Sequence, residues 1–211
     1  MAENVRLHDP YARPAQQRTA DLMGMFVFLG TEIMLFGGLF AAIYVVRGLH
    51  PHEVVEASKR LHLFIGAANT AILLTSSLAV AVAVRAARAG RVRLGWMLLL
   101  GAALTGLLFL GVKGMEWGME AEEGLLPFRG MSDGLSGPAG RLFMNLYMIA
   151  TGLHAIHVSI GVVLLAGLAL RIGLGRLQLP ERAVVVEVAG LYWHLVDVIW
   201  VFLYPALYLI R

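Results

Sequence analysis

Several histidines and carboxylates in this chain have spacings that could support chemistry. His154 and His157, in ATGLHAIHVSIG, are three residues apart and so share one face of a helix. Two imidazoles placed in this way could offer ligands to a metal or a haem. They could equally hydrogen-bond to carbonyls, neighbouring polar groups or lipid headgroups. His194 and Asp197, in YWHLVDVIWVFLY, repeat the three-residue spacing, and Glu187 stands seven residues before His194, two turns back on the same face. That row could relay protons, or it could be a buried network that fixes helix register. Glu32 stands alone in FVFLGTEIMLFGGLFAAIY. Its stem is too short to reach water from the middle of an apolar helix, so it is expected to be neutral or hydrogen-bonded to a neighbouring helix. A lone acid of this kind could handle a proton or contact lipid, but by itself makes no pathway. Glu116 follows Lys113 by three residues in VKGMEWGMEAEEGLLP and is expected to be structural, at the end of a loop. Gly114 and Gly118 form a small-residue pair that would let helices approach closely. Asn69, Thr70, Thr75, Ser76 and Ser77 read as interhelical hydrogen-bonding groups, and Trp193 and Trp200 as a packing stripe.

Composition narrows these options. The chain has no cysteine, which excludes disulfides, iron–sulfur clusters, thiolate metal sites and cysteine nucleophiles. Arithmetic leaves open one metal site built from His154, His157 and His194. The histidine set otherwise falls short of a redox centre, so neither metal ligands nor catalytic residues are expected in this chain. The balance of 17 Lys and Arg against 14 Asp and Glu gives a net charge of +3, which does not suggest nucleic acid as a partner. Hydrophobic residues make up 59% and charged residues 15%, where a soluble domain carries about 25% charged. Ionisable groups at membrane depth cost roughly 2.5–3.5 kcal/mol each, so those present must be paired within a bundle or used.

The elements that must position these residues are five apolar segments, at 22–46, 61–84, 94–112, 142–170 and 184–210. Each approaches the roughly 20 residues that cross about 30 Å of hydrocarbon. They predict an all-α integral membrane bundle of five transmembrane helices over residues 21–211. Residues 1–20 are polar, contain Pro10 and Pro14, and read as a loose cytoplasmic tail without a signal peptide. Residues 117–138 read as the longest loop. Ten Lys and Arg fall on the side of the N-terminal tail and the second and fourth connections, against seven on the other. The positive-inside rule then puts the N-terminus in the cytoplasm and the C-terminus outside. The only intramembrane proline, Pro205, lies near the end of the last helix, so the broken mid-membrane helices of a proton-coupled transporter are not expected.

Taken together, these strings resemble subunit III of the haem–copper oxidases, the family of cytochrome c and quinol oxidases. FLGTEIMLFGGLFAAIY resembles its helix with a central acid, and NTAILLTSS its Asn-Thr helix. KGMEWGMEAEEGLLP is similar to its Glu before an aromatic followed by an acidic stretch. TGLHAIHVSIG and YWHLVDVIWVFLY resemble its two most specific signatures. Five motifs in the family's order cover nearly the whole chain from about residue 21. The resemblance is to the short bacterial form, which lacks the first two of seven helices and the cleft wall they supply.

The resemblance implies an accessory, non-redox subunit with no haem or copper of its own, those lying in partner subunits. It implies direct contact with subunit I in a complex that also contains subunit II, a place in a bacterial inner membrane, bound phospholipid, and support of proton uptake and durability during turnover. Residue by residue, it makes Glu32 the family's intramembrane acid and His157 a histidine at the lipid-facing end of its helix. It puts Arg171 where a basic residue meets a lipid phosphate, and makes Glu187, His194 and Asp197 the polar residues of the last helix. A subunit of the cytochrome c-oxidising, aa3 type is expected, with a quinol oxidase or a nitric oxide reductase accessory subunit as alternatives.

Overall fold

The computed structural model describes residues 13–125 and 137–209. Among the described residues there are six helices and no strand: α1 (Pro14–Leu49), α2 (Pro51–Lys59), α3 (Leu63–Arg88), α4 (Val92–Glu122), α5 (Gly137–Gly173) and α6 (Ala183–Tyr208). Five of them, all except α2, are long and apolar enough to cross a membrane.

Local sequence chemistry sets the helix limits. Pro14 and Pro51 open α1 and α2, where a missing backbone N–H costs nothing. At the other end, Gly90 (φ 67°) follows α3 and Gly175 (φ 67°) follows α5. Both adopt the left-handed conformation that lets the chain fold back and satisfy the last carbonyls. Arg91 N donates to Ala86 O at 2.9 Å, and Arg176 N donates to Arg171 O at 2.8 Å.

Three boundaries differ from the sequence expectation. Helix α1 starts at Pro14, so residues 14–20 are helical rather than part of a loose tail. Helix α4 continues to Glu122 instead of yielding to a loop at residue 117, because its polar residues there face inward. Helix α2 was not foreseen, being short and polar. It caps its neighbour: Glu53 Oε2 accepts from Ala139 N at 2.9 Å and from Gly140 N at 3.3 Å, satisfying donors in the first turn of α5. The remainder of the long connection, residues 126–136, lies outside the described residues.

Helices α3, α4, α5 and α6 pack around one core, with α1 against α6 and α5 and α2 against α5. Half of the most apolar stretch of α6 is buried, against 17% for α1, so α6 is the central helix and α1 a peripheral one with wide exposed surface. Trp193 of α6 fills the centre. Its Nε1 donates to Ser76 Oγ of α3 at 3.0 Å. A Cβ added at Gly106 of α4 would lie 2.7 Å from Trp193 Cη2, and one at Gly161 of α5 would lie 2.7 Å from its Cε3. Those two glycines bring the helices close. The expected pair, Gly114 and Gly118, instead faces open space.

Candidate functional site

Helix α1 carries Glu32 to α5, where its Oε2 lies 2.9 Å from His157 Nε2. Both side chains are nearly buried, at 13% and 12% exposure. His157 Nδ1 is 2.7 Å from Leu153 O, and a carbonyl only accepts, so Nδ1 is the donor there. The Nε2 contact then carries a single proton, held either by the acid or by the ring. Tyr192 of α6 donates to His157 O at 3.0 Å, and the Phe36 ring meets the imidazole edge-on at 5.4 Å. Glu32 of α1 and the second histidine of α5 are therefore one hydrogen-bonded pair.

This pair forms part of the wall of a groove of about 640 Å³ between α1, α5 and α6. Its other walls are mostly apolar, including Met25, Phe28, Ile160, Leu164, Val185 and Val188, and Arg171 also lines it. Arg171 lies 14 residues beyond His157 on α5, about 21 Å along the helix at 1.5 Å per residue. The groove therefore has a cation towards one end of the bundle, a long apolar trough, and a hydrogen-bonding pair at depth. All of its described walls come from α1, α5 and α6.

The remaining predicted residues fall into separate places. Glu187 does not join His194. Its Oε1 accepts from Arg88 Nε of α3 at 2.7 Å and its Oε2 from Arg18 Nη2 of α1 at 2.9 Å, which ties three helices together at one end of the bundle. His194 Nδ1 is 2.7 Å from Ser77 Oγ of α3. Asp197 is buried, and among the described residues neither of its carboxylate oxygens has a hydrogen-bond partner. Among the described residues His194 and Asp197 make no hydrogen bond to each other, so the row of three is divided. His154 is fully buried, with its ring stacked on Trp200 at 5.0 Å and edge-on to Phe109 at 5.7 Å, and among the described residues neither nitrogen has a hydrogen-bond partner. The three membrane histidines therefore have three different surroundings. Among the described residues no group of three or more His, Cys, Asp or Glu could hold a metal ion.

Of the polar residues in α3, Thr70 accepts from Trp200 Nε1 at 3.1 Å, and Ser76 and Ser77 hold Trp193 and His194. Thr75 bonds only to Ala71 O of its own helix, and the Asn69 amide has no partner among the described residues.

Sequence reasoning missed the largest polar cluster. Glu116 is not at a loop end but fully buried inside α4. Lys113 Nζ donates to Glu116 Oε2 at 3.0 Å, Tyr147 OH at 2.9 Å and Tyr208 OH at 2.5 Å. Tyr208 passes a hydrogen bond to Glu116 Oε1 and Tyr147 one to Glu120 Oε1, both at 2.7 Å. All five side chains are at most 1% exposed, and they join α4, α5 and α6 at the end of the bundle opposite Arg171. The signal was present: positions 113, 116 and 120 lie on one face of a helix.

The family model of cytochrome c oxidase subunit III matches residues 15–210. The chain is 32% identical over 191 residues to cytochrome c oxidase subunit 3 of Thermostichus vulcanus, an alignment covering 90% of this chain and 87% of the relative. It is 27% identical to quinol oxidase subunit 3 of Bacillus subtilis, over 99% of this chain and 96% of that one. It is 28% identical to the haem-copper oxidase subunit I+III of Aeropyrum pernix, where the alignment covers 88% of this chain but 22% of the longer relative.

Proposed function

The chain belongs to the cytochrome c oxidase subunit III family, and from that premise we propose that it is the accessory, phospholipid-binding subunit of a proton-pumping respiratory terminal oxidase of the aa3 type, with cytochrome c as electron donor. The groove from Arg171 to the Glu32–His157 pair is the observation that carries the lipid reading. A phospholipid needs a cation for its phosphate and an apolar trough for an acyl chain, and the groove offers both in that order. The reading makes Arg171 the phosphate partner and the Glu32–His157 pair the polar floor beside the chain.

Packing against subunit I is supported by the Aeropyrum pernix relative, whose name places subunits I and III in one chain. The cytochrome c-oxidising type is favoured by the Thermostichus vulcanus relative. The Bacillus subtilis relative keeps the quinol-oxidising type as the second reading. Subunit II and phospholipid complete the proposed partners, and haem and copper belong to the partner subunits. The bacterial inner membrane, with the N-terminus cytoplasmic, is favoured by the excess of arginine and lysine on the side of Arg88, Arg91 and Arg171.

Replacing Arg171 tests the reading. In the purified complex, Arg171→Gln should weaken retention of one phospholipid about tenfold, the worth of one charge-assisted hydrogen bond. The initial rate of oxygen reduction should stay unchanged, while activity should be lost sooner under continuous turnover. Unchanged lipid content and unchanged durability would reject the lipid reading.

Glu32→Gln separates a structural from a proton-relaying acid. A glutamine amide can still donate to His157 Nε2, so assembly, oxygen reduction and pumping should be largely retained. Glu32→Ala leaves His157 Nε2 without its partner and should destabilise the subunit by about 1–3 kcal/mol. Turnover and pumping stoichiometry in sealed vesicles decide the matter. A large loss of pumping in a fully assembled Glu32→Gln complex would make the acid a relay.

A further inference from the structure

A second groove, of about 360 Å³, lies on the opposite flank of α1, between α1, α3 and α6. Arg18 and Arg88 line it at the end of the bundle where α1 begins and α3 ends. Both arginine side chains are more than half exposed, at 54% and 56%, while that of Glu187, which tethers them, is 8% exposed. Glu187 is the only acid among the described lining residues, and it is already divided between the two arginines, one oxygen to each. Among the described lining residues two positive charges thus face one negative charge, and each guanidinium has N–H groups beyond the one given to Glu187. Beyond it the walls become apolar, with Leu22 and Phe26 from α1, Ala81 and Val84 from α3, and Leu191 from α6.

We infer that this groove binds an anionic phospholipid, with its phosphate between Arg18 and Arg88 and an acyl chain along Leu22, Phe26 and Leu191. The site demands an amphiphile. A soluble anion would match the arginines and leave the trough unused, and an apolar chain alone would leave the charge unmatched. The tether explains why two long cationic side chains are arranged rather than splayed: Glu187 fixes the fork that receives the phosphate and removes much of the entropy cost of ordering it. This site is separate from the Arg171 groove and stands or fails independently of it.

The test uses the intact oxidase complex, delipidated and incubated with phosphatidylglycerol, with a diazirine-bearing leucine analogue at position 22 to label whatever lies in the groove. Phosphatidylglycerol should be labelled in preference to phosphatidylcholine. Arg88→Gln should reduce labelling about tenfold. Ala81→Phe should do so by filling the trough while leaving both ion pairs untouched. Arg88→Lys keeps the positive charge and should retain part of the labelling that Arg88→Gln loses, which guards against a loss caused by misfolding. Arg171→Gln should have no effect here. Should Arg171→Gln release no lipid from its own groove while position 22 still labels phosphatidylglycerol, the earlier reading fails and this one survives. Equal labelling in wild type, Arg88→Gln and Ala81→Phe would overturn the site, as would equal labelling by both lipids or labelling of another subunit in place of lipid.

Discussion

Lys113→Ala should destabilise this subunit by about 3–5 kcal/mol, the cost of breaking a buried ion pair from one side. The ammonium is 1% exposed, and three different side chains accept its hydrogen bonds. It also sits 4.9 Å from the Tyr147 ring centre and 5.6 Å from that of Trp200, within the reach of cation–π attraction. Removing it leaves the buried Glu116 and Glu120 facing two phenols without the ammonium. Neutral interhelical hydrogen bonds in membranes are worth only about 0.6 kcal/mol on average, so the unpaired charge dominates the loss. Neutralising the whole cluster, with Lys113→Met, Glu116→Gln and Glu120→Gln together, should therefore recover much of what Lys113→Ala loses. The measurement is the thermal midpoint at which the subunit dissociates from the detergent-purified complex. A loss below about 1 kcal/mol, the size of an ordinary substitution, would show that the cluster is not a unit.

The five membrane-crossing helices were legible because hydropathy is local, whereas the polar partnerships were not because they join distant residues. Glu32 could be recognised as a mid-membrane acid, but its partner His157 is 125 residues away on a different helix. The phase of α6 suggested one row of Glu187, His194 and Asp197. Phase says which way a side chain points and not what meets it. Glu187 lies near the start of α6, where the long side chains of Arg18 and Arg88 reach it, while His194 meets a hydroxyl of α3 two turns deeper. The Lys113 cluster was hidden for the opposite reason. A charged run was read as the end of a span, although the helix continues because that run faces its neighbours. The same holds for the glycines: Gly114 and Gly118 have the spacing of a close-packing pair, but Gly106 and Gly161 have the neighbours.

Trp193→Ala should cost about 3–5 kcal/mol and should also disturb the lipid groove. The indole is fully buried and touches three helices besides its own, through Ser76, Gly106 and Gly161. Two of those contacts are glycines, which have no side chain to move into the space left behind. The neighbouring Tyr192 lines the groove and donates to His157 O. A shift of α6 towards the void therefore moves the wall that faces Glu32. Gly161→Ala tests the same contact from the other side. Its added Cβ would lie 2.7 Å from Trp193 Cε3, so alone it should cost about 1–3 kcal/mol through overpacking. In the Trp193→Ala background the clash is absent and the methyl group fills part of the cavity, so the penalty should vanish or change sign. The thermal midpoints of the four proteins form a double-mutant cycle with an expected coupling of about 0.5–3 kcal/mol, accompanied by phospholipid loss in Trp193→Ala. Additive effects, with the lipid retained, would show that the indole does not hold α5 and α6 at the spacing the groove requires.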